Sequence, residues 1–181
     1  MNASGRLVCI DSNVEDVFQH WSMSMKEVSV YRTQLLRELV AAAREFHDVC
    51  LTIQDPFIPV EEAGWSVHQI AAHVRDIDQL VYGLRAKKTA TEDNPAFPNF
   101  DGEAYAREHY SPDEPLAEIL AGFVQSVESL AEMLRNLPVG AWARVSCHEK
   151  LGENLTLQLW VERDLAHIEE HLETVKNAKQ A

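Results

Sequence analysis

Two histidines near the C-terminal end of the sequence, His167 and His171, have the spacing of a metal-binding pair. Residues four apart in an α-helix lie one turn apart on the same face, so both imidazoles can bind one ion. The face that helical spacing turns toward a core is apolar at its ends and polar in its middle: Leu157, Trp160, Asp164, His167, His171 and Val175. Each buried polar group without a partner costs roughly 1–3 kcal/mol. We therefore expect a metal ion to bind the two histidines, and Asp164 to orient one imidazole.

A third ligand is needed, because two histidines alone are only a pair. The candidate is His73, which interrupts the apolar face of another predicted helix: Ile70, His73, Val74, Ile77, Leu80, Val81 and Leu84. In a bundle that places these two helices side by side, the three side chains can meet at one level of the core. Three neutral imidazoles suit Zn, Ni, Fe or Cu, and they leave positions open for water or substrate, as in a catalytic site.

Other interpretations of these histidines stay open. A pair such as His167 and His171 also occurs by chance on a solvated helix face, and a lone His73 is also typical of a core histidine with hydrogen-bond partners. Glu169 and Glu170 are expected to face solvent. The remaining histidines are predicted to lie at the surface or at an interface: His20, His47, His68, His109 and His148.

The composition excludes several classes of protein. With 181 residues, 46% hydrophobic and 25% charged, we predict one globular domain over 1–181, with an irregular lead-in over about 1–20. A formal charge of −13 disfavours binding to nucleic acid. No run of about 18 apolar residues predicts a membrane span, and residues 1–21 lack the basic and apolar regions of a signal peptide. We therefore expect a cytoplasmic protein that binds neither nucleic acid nor membrane.

The three cysteines, Cys9, Cys50 and Cys147, are odd in number, widely spaced and without a CxxC pair. This pattern predicts neither a disulfide framework nor a thiolate zinc site. Free cysteine is commonly buried as a small hydrophobic residue, so we predict reduced, structural cysteines with no further assigned role.

Four segments carry apolar residues at helical spacing: 24–51, 67–87, 111–137 and 156–179. The second has a strong start signal, because Ser66 is a good N-cap and Gln69 completes a capping box. The third is predicted to start at Ser111, with Pro112 in its first turn and Glu114 in a capping box. Strands and helices do not alternate and no repeat is visible. We therefore predict an all-α fold, a four-helix bundle.

Two connections are long enough to have structure of their own. Residues 88–111 are predicted to form an ordered cover with a short helix over 102–108, because they hold several aromatic residues: Phe97, Phe100, Tyr105 and Tyr110. The segment from Phe97 to Tyr110 is expected to supply part of a substrate wall. Residues 140–155 are either a short extended pair or a loop, with Gly152 at a turn, and the sequence leaves these alternatives open.

Two segments together match a known pattern. The first, GWSVHQIAAHVRD over 64–76, places Trp65 and Ser66 at a helix start before His73. The second, LWVERDLAHIEEHLETV over 159–175, carries His167 and His171. They resemble the DinB-like (YfiT-like) superfamily, whose pattern is a Trp-Ser helix start followed by a ligand histidine, and a last helix with two histidines four apart. The resemblance covers about residues 24–175.

This resemblance implies a particular fold and a metal site. The fold is an up-and-down four-helix bundle with the long crossover between helices two and three, commonly assembled as a homodimer. The site is a divalent metal held by His73, His167 and His171, for which we expect Zn or Ni, with Fe and Mn as alternatives.

The resemblance also implies a reaction. Characterised members of the family include thiol S-transferases that use bacillithiol and the mycothiol-dependent maleylpyruvate isomerase. We therefore predict a thiol S-transferase whose metal activates a low-molecular-weight thiol toward a small-molecule substrate. A metal-dependent hydrolase and a non-catalytic, metal-binding stress-response dimer stay open as alternatives, so enzymatic activity is not decided at this point. An anionic thiol would require basic groups nearby, and the candidates are Arg75, Arg85, Arg107, Arg144 and Lys150.

Overall fold

The segments with helical periodicity form a bundle in the computed structural model, which describes residues 25–60 and 64–178. In chain order the helices are α1 (Met25–Leu51), α2 (Val67–Ile77), α3 (Gly83–Thr91), α4 (Gly102–His109), α5 (Leu116–Arg135) and α6 (Leu157–Ala178). The continuous segment of α2 and α3 forms one rod, and α1, α5 and α6 are the other three. The predicted lead-in over about 1–20 lies outside the described residues. None of the helices in the described ranges is long and apolar enough to cross a membrane.

Side-chain caps define the start of the two helices that carry the predicted ligands. The backbone N–H of Gln69 donates to Oγ of Ser66 over 3.3 Å, and the backbone N–H of Ser66 donates to Oε1 of Gln69 over 2.9 Å. The predicted capping box is therefore confirmed. At the start of α6 the backbone N–H of Leu159 donates to Oγ1 of Thr156 over 3.2 Å. Both helices thus begin where the sequence indicates.

The rod formed by α2 and α3 contains a π-helical turn, Asp78–Tyr82. A π turn holds one more residue than an α turn, so the residues after it are rotated around the helix axis. Leu80 and Leu84, which were predicted to face the core, are each 39% exposed, and that part of the prediction is wrong. Asp78 and Arg85 are buried in this region instead.

Helix α5 begins at Leu116, later than the predicted start at Ser111. Ser111 and Pro112 belong to a turn in which the backbone N–H of Glu114 donates to the carbonyl of Ser111 over 3.4 Å. Pro115 explains the difference, because proline disfavours the helical conformation of the residue before it. The helix therefore begins only after Pro115, which occupies the N-cap position.

A small sheet accompanies the bundle. Its strands are β1 (Ala96–Phe97), β2 (Val145–His148) and β3 (Gly152–Thr156), in the order β1-β2-β3. β2 and β3 pair antiparallel, and Gly152 has a φ of +90°, so the extended pair is the correct alternative for residues 140–155. β1 pairs parallel with β2 and was not predicted, since two residues carry no periodicity. The helices dominate the structure, and the predicted four-helix bundle is confirmed.

Helix α6 lies against both neighbouring rods and so brings its histidines to α2. It packs along α1 on one side and along α2, the π turn and α3 on the other. At its start the indole N–H of the fully buried Trp160 donates to Oγ of Ser146 over 2.8 Å. The Ser146 hydroxyl in turn donates to the carbonyl of Leu155 over 3.0 Å. These bonds attach the start of α6 to the β2–β3 hairpin.

The two cysteines in the described ranges are free. Cys50 is fully buried on α1, and burial raises the pKa of its thiol to about 12. Cys147 is half-buried in β2, with its Sγ 3.8 Å from the carbonyl oxygen of Pro95. Cys9 lies outside the described residues. Neither described cysteine is placed as a nucleophile, since Cys50 stays a buried thiol at neutral pH and Cys147 lies in the sheet.

Candidate metal centre

Three imidazoles from two helices meet inside the bundle. His73 comes from α2, and His167 and His171 come from α6, one turn apart. One nitrogen of each ring lies within 4.8 Å of the corresponding nitrogens of the other two, and the Nε2 atoms of His167 and His73 are 3.4 Å apart. The ring centroid of His73 lies 5.3 Å from that of His167 and 5.2 Å from that of His171. The structure therefore brings together the three histidines that the sequence analysis selects.

This geometry fits one divalent metal ion. Zinc–nitrogen bonds are about 2.0–2.1 Å long, so two nitrogens bound tetrahedrally to one ion lie about 3.3–3.4 Å apart. The Nε2 atoms of His73 and His167 have that separation. Three imidazole donors also leave at least one coordination position for a small molecule, which structural zinc sites with four protein ligands do not.

Burial keeps the three imidazoles neutral. It lowers the pKa of His73 to about 4 and that of His167 to about 3, and it also lowers the pKa of His171. Neighbouring imidazoles lower the first two values further, because positive charges in one site repel each other. At neutral pH each ring therefore offers an unprotonated nitrogen, which is the form that binds metal.

Aromatic residues and one glycine pack around the imidazoles. The ring of Trp65 meets that of His73 edge to face at a centroid distance of 4.8 Å, and Tyr82 of the π turn lies 5.5 Å from His167. Gly102, at the start of α4, approaches His73 so closely that a Cβ there would lie 3.1 Å from Cε1 of the imidazole. Helix α4 can therefore cover His73 because residue 102 has no side chain.

Asp164 does not make the hydrogen bond predicted for it. Its carboxyl is buried, and within the described ranges Nδ1 of His167 has no hydrogen-bond partner. Asp164 lies beside Asp78 of the π turn, which is also buried. Burial raises the pKa of Asp78 to about 6, and burial together with the neighbouring carboxyl raises that of Asp164 well above its usual range. This environment favours a protonated Asp164 over the charged acceptor that the prediction required.

A cavity of about 250 Å³ opens beside His73. Its walls include side chains from α2, α4 and the residues next to them: Trp65, Ala72, His73, Ala106, Arg107 and Tyr110. Asp76 also lies at the cavity, but its charge is offset by Arg75, which is 2.9 Å away and which also pairs with Glu114. A space of this size, with aromatic and aliphatic walls next to three imidazoles, suits a small molecule.

The predicted basic groups do not gather around the imidazoles. Arg85 is buried, with its guanidinium 5.0 Å from the ring centre of Trp160 and bonded to the carbonyl of Pro98 over 3.1 Å. Arg144 donates to the carbonyl of Thr89 over 3.0 Å. Of the five candidates, Arg107 is the one that lines the cavity. Most of these cations therefore hold the fold together.

His68 is buried, and the prediction that it lies at the surface is wrong. Its Nε2 lies 2.8 Å from the carbonyl oxygen of Glu114, and its Nδ1 lies 2.9 Å from the hydroxyl of Tyr110. Phe57 stacks on the ring at a centroid distance of 4.7 Å. The hydrogen-bond partners are 46 and 42 residues away along the chain, so no local pattern could reveal them.

His148 is buried as well, contrary to its predicted place at a surface or interface. Its Nδ1 accepts hydrogen bonds from the backbone N–H groups of Lys150 and Leu151, over 3.1 and 3.2 Å. These bonds close the turn that follows β2. His148 is therefore a structural residue of the hairpin.

Four of the other residues predicted at the surface lie where they were expected. His109 is exposed and stacks on Tyr105, and Glu169 and Glu170 are exposed on α6. His47 lies at the surface of α1, where its Nδ1 is 2.9 Å from Asp48. His20 lies outside the described residues, so its predicted position stays a prediction.

Comparisons with known proteins agree with this fold. Residues 36–172 match the family model described as mycothiol maleylpyruvate isomerase N-terminal domain. A protein of Geobacillus thermodenitrificans named "Putative metal-dependent hydrolase" is 27% identical over 140 residues, which are 72% of this chain and 75% of that protein.

Among solved structures, YfiT from Bacillus subtilis is similar with a TM-score of 0.76 at 20% sequence identity. The similarity covers 88% of this chain and 90% of that chain. YfiT is described as "a probable metal-dependent hydrolase with an unusual four-helix bundle topology". At this level of identity the likeness shows that the two chains share their fold.

Proposed function

The chain belongs to the mycothiol maleylpyruvate isomerase N-terminal domain family, within the DinB-like superfamily that its motifs indicate, and from this premise we propose a divalent-metal-dependent enzyme acting on a small molecule. The observation that carries the proposal is the convergence of His73, His167 and His171 beside a cavity. Each would hold the ion, Zn or Ni, through one ring nitrogen. The ion would supply Lewis-acid activation of a water molecule or a thiol at neutral pH.

Hydrolysis is the reaction class that we propose first. The relative from Geobacillus thermodenitrificans and YfiT both carry names of metal-dependent hydrolases. An anionic thiol would need several cations at the site, whereas Arg85 and Arg144 are engaged with backbone carbonyls elsewhere. A neutral substrate with water as the second reactant requires no such cations.

Thiol transfer is the second candidate. The description of the matching family refers to mycothiol, which favours a low-molecular-weight thiol as co-substrate. Arg107 at the cavity wall would be the nearest of the candidate cations to an anionic thiol. The third possibility is a non-catalytic metal-binding protein, and such a protein would not need the cavity beside His73.

We propose that Asp164 becomes the hydrogen-bond acceptor of His167 when the site is loaded. The two residues lie three positions apart on α6, and Nδ1 of His167 has no hydrogen-bond partner in the described part of the chain. A cation at Nε2 favours both an Nδ1–H donor and an ionised carboxylate nearby. Asp164 is thus a positioning residue in this proposal.

Elemental analysis of the purified protein tests the metal assignment. We expect about one divalent ion per chain, its loss in the variant His171→Ala, and its retention in the matched control His47→Ala, which removes a surface histidine on α1. Unchanged metal content in His171→Ala would refute the assignment.

Activity separates the reaction classes. Chelator-treated protein, with and without restored Zn²⁺ or Ni²⁺, is assayed with p-nitrophenyl acetate for hydrolysis. Conjugation of monobromobimane is assayed with bacillithiol, mycothiol and glutathione. A metal-dependent rate in the first assay supports hydrolysis, and one in the second supports thiol transfer. A metal-loaded protein that is inactive in both would favour the non-catalytic reading.

Two further expectations accompany the proposal. A homodimer is expected from the family resemblance, and size-exclusion chromatography with light scattering measures it directly. A cytoplasmic location is expected from the sequence, and cell fractionation tests it. The metal assignment does not depend on either, because all three proposed ligands come from one chain.

A further inference from the structure

A partly buried hydrogen-bond chain runs from Glu114 through His68 to Tyr110, a residue that lines the cavity beside His73. The carbonyl oxygen of Glu114 can only accept, so Nε2 of His68, 2.8 Å away, carries the hydrogen. In the neutral imidazole Nδ1 is then an acceptor, and the hydroxyl of Tyr110, 2.9 Å away, donates to it. The direction of the Tyr110 hydroxyl is therefore set by His68, and the tautomer of His68 is set by the backbone at Glu114.

Tyr110 presents an oxygen rather than a proton to other partners. Its hydrogen is committed to His68, so the phenol oxygen can only accept further hydrogen bonds. Burial raises the pKa of Tyr110, an effect partly offset by the hydroxyl of Ser66, and the phenol stays neutral at neutral pH. Ser66 occupies one lone pair at most, so one acceptor site on the oxygen stays available.

The same cavity contacts Tyr110 and His73. Trp65 supplies an aromatic wall, and the small side chains Ala72 and Ala106 leave a gap between α2 and α4. The volume, about 250 Å³, is large enough for a small planar group. A ligand in this gap would have Tyr110 and the imidazole of His73 as neighbours.

We propose that this cavity is the substrate pocket, and that Tyr110, oriented by His68, recognises a small planar ligand by accepting a hydrogen bond from its N–H or O–H group. This inference rests on the proposed function, because only an enzyme would use the ligand as a substrate. It adds the class of ligand, a recognition role for Tyr110, and His68, which the sequence analysis did not assign to the site. Tyr110 contacts the ligand, and His68 acts through Tyr110 as a positioning residue.

Two probes of equal shape test the role of Tyr110. Benzamide and acetophenone differ in that an amide NH₂ replaces a methyl group, so only benzamide can donate. Binding to the chelator-treated protein is followed by NMR, using the indole N–H of Trp65 and the backbone N–H groups of Ala72 and Ala106. We expect both probes to perturb these signals, with benzamide bound about 3–10-fold more tightly, which is the contribution of one net hydrogen bond.

Substitution of Tyr110 should remove the preference and keep the pocket. In Tyr110→Phe the affinity for acetophenone is retained and the ratio of affinities falls to about one. The matched control Tyr105→Phe alters a ring of α4 that stacks on His109 outside the cavity wall, and it should keep the native ratio. An unchanged ratio in Tyr110→Phe overturns the recognition role. Absence of binding, or perturbations confined to another surface, overturns the pocket.

Two substitutions of His68 test its positioning role. Asn places its carbonyl oxygen near the position of Nδ1 and can still accept from Tyr110, whereas Gln places its amide near Nε2 and cannot. We expect His68→Asn to keep most of the preference for benzamide and His68→Gln to lose it. Equal ratios in the two variants overturn the positioning role, because a general loss of packing would weaken both probes alike.

The experiment is independent of the metal assignment. The titrations use metal-free protein, and His171→Ala should show the native ratio of affinities. A failed metal assignment with an intact benzamide preference leaves the Tyr110 proposal standing. An intact metal site without the preference refutes it.

Discussion

The Nε2 atoms of His167 and His73 lie 3.4 Å apart, although 94 positions separate the two residues in the sequence. This distance lies near the upper limit for a hydrogen bond, and it suits two ligands of one ion. Both rings are largely buried and have lowered pKa values, so protonation of both is disfavoured. The arrangement is more easily explained by a shared cation than by mutual hydrogen bonding.

Metal binding should therefore stabilise the fold. At a free Zn²⁺ concentration of 100 times Kd, the free energy of unfolding should rise by about 2.7 kcal/mol, because the ion binds the folded state only. Urea denaturation of chelator-treated protein with and without Zn²⁺ measures this. His73→Ala should abolish the increase, whereas His47→Ala should show it in full. An equal increase in both variants would place the ion elsewhere.

Acid should destabilise the metal-free protein. The folded-state pKa values of His73 and His167, about 4 and about 3, lie below the usual value of 6.5. Their contribution to stability is present above pH 6.5, and it is lost as the pH falls toward the folded-state values, because the unfolded chain binds the protons first. We expect the free energy of unfolding to fall between pH 6.5 and pH 4.

The variant His73→Gln/His167→Gln provides the comparison for this loss. It lacks both imidazoles, so its free energy of unfolding should depend less steeply on pH over the same range. Urea denaturation in chelator at several pH values gives the two slopes. Identical slopes for the native protein and the variant would show that other groups cause the acid sensitivity.

The pair of buried carboxyls should have the opposite effect. Burial raises the pKa of Asp78 to about 6, while Ser126, Lys87 and Asp164 lower it by smaller amounts. A raised pKa means that the protonated form favours folding, so this contribution is complete below pH 4 and is lost as the pH rises through about 6. Asp78→Asn stays neutral at every pH. It should therefore gain roughly 2–3 kcal/mol relative to the native protein between pH 4 and pH 7.5.

Urea denaturation of metal-free protein at those two pH values measures the gain. The difference between variant and native protein removes the effects of the histidines, which are common to both. Asp113→Asn, at an exposed position, is measured as the matched control. A constant difference between Asp78→Asn and the native protein at both pH values would contradict this account of the pair.

Much of the candidate site could be predicted because its signals are local. The four-residue spacing of His167 and His171 defines one face of one helix, and the capping box at Ser66 and Gln69 sets the start of the other. Helical periodicity places His73 on an inner face. These patterns require only neighbouring residues, so the sequence is sufficient to find them.

The parts that were missed depend on contacts distant in sequence or on backbone irregularity. The residues next to His68 in the sequence do not indicate that it is buried. Its buried position is explained by Tyr110 and Glu114, which lie 42 and 46 residues further along the chain. The exposure of Leu80 and Leu84 follows from a π turn, and no residue type in the sequence indicates that turn. The same turn brings the buried carboxyl of Asp78 to Asp164, a contact that the sequence does not indicate, while the role of Asp164 toward His167 stays a prediction.

Gly102 gives a prediction about how precisely the site is held. A Cβ at this position would lie 3.1 Å from Cε1 of His73 and 2.8 Å from Cδ1 of Ile77. The end of the Ile77 side chain can rotate away, but the imidazole is already packed against Trp65 and must shift by a few tenths of an ångström. Gly102→Ala should therefore weaken Zn²⁺ binding about 3–10-fold, or about 0.7–1.4 kcal/mol.

The global stability of Gly102→Ala should change by less than about 1 kcal/mol, because alanine favours the helix while the crowding opposes it. Competition with a chromophoric chelator measures the Zn²⁺ affinity, and urea denaturation in chelator measures the stability. Gly122→Ala on α5 is the matched control, since nothing lies within 4 Å of its added Cβ, and it should bind Zn²⁺ like the native protein. A native Zn²⁺ affinity in Gly102→Ala would mean that helix α4 does not constrain the position of the His73 imidazole.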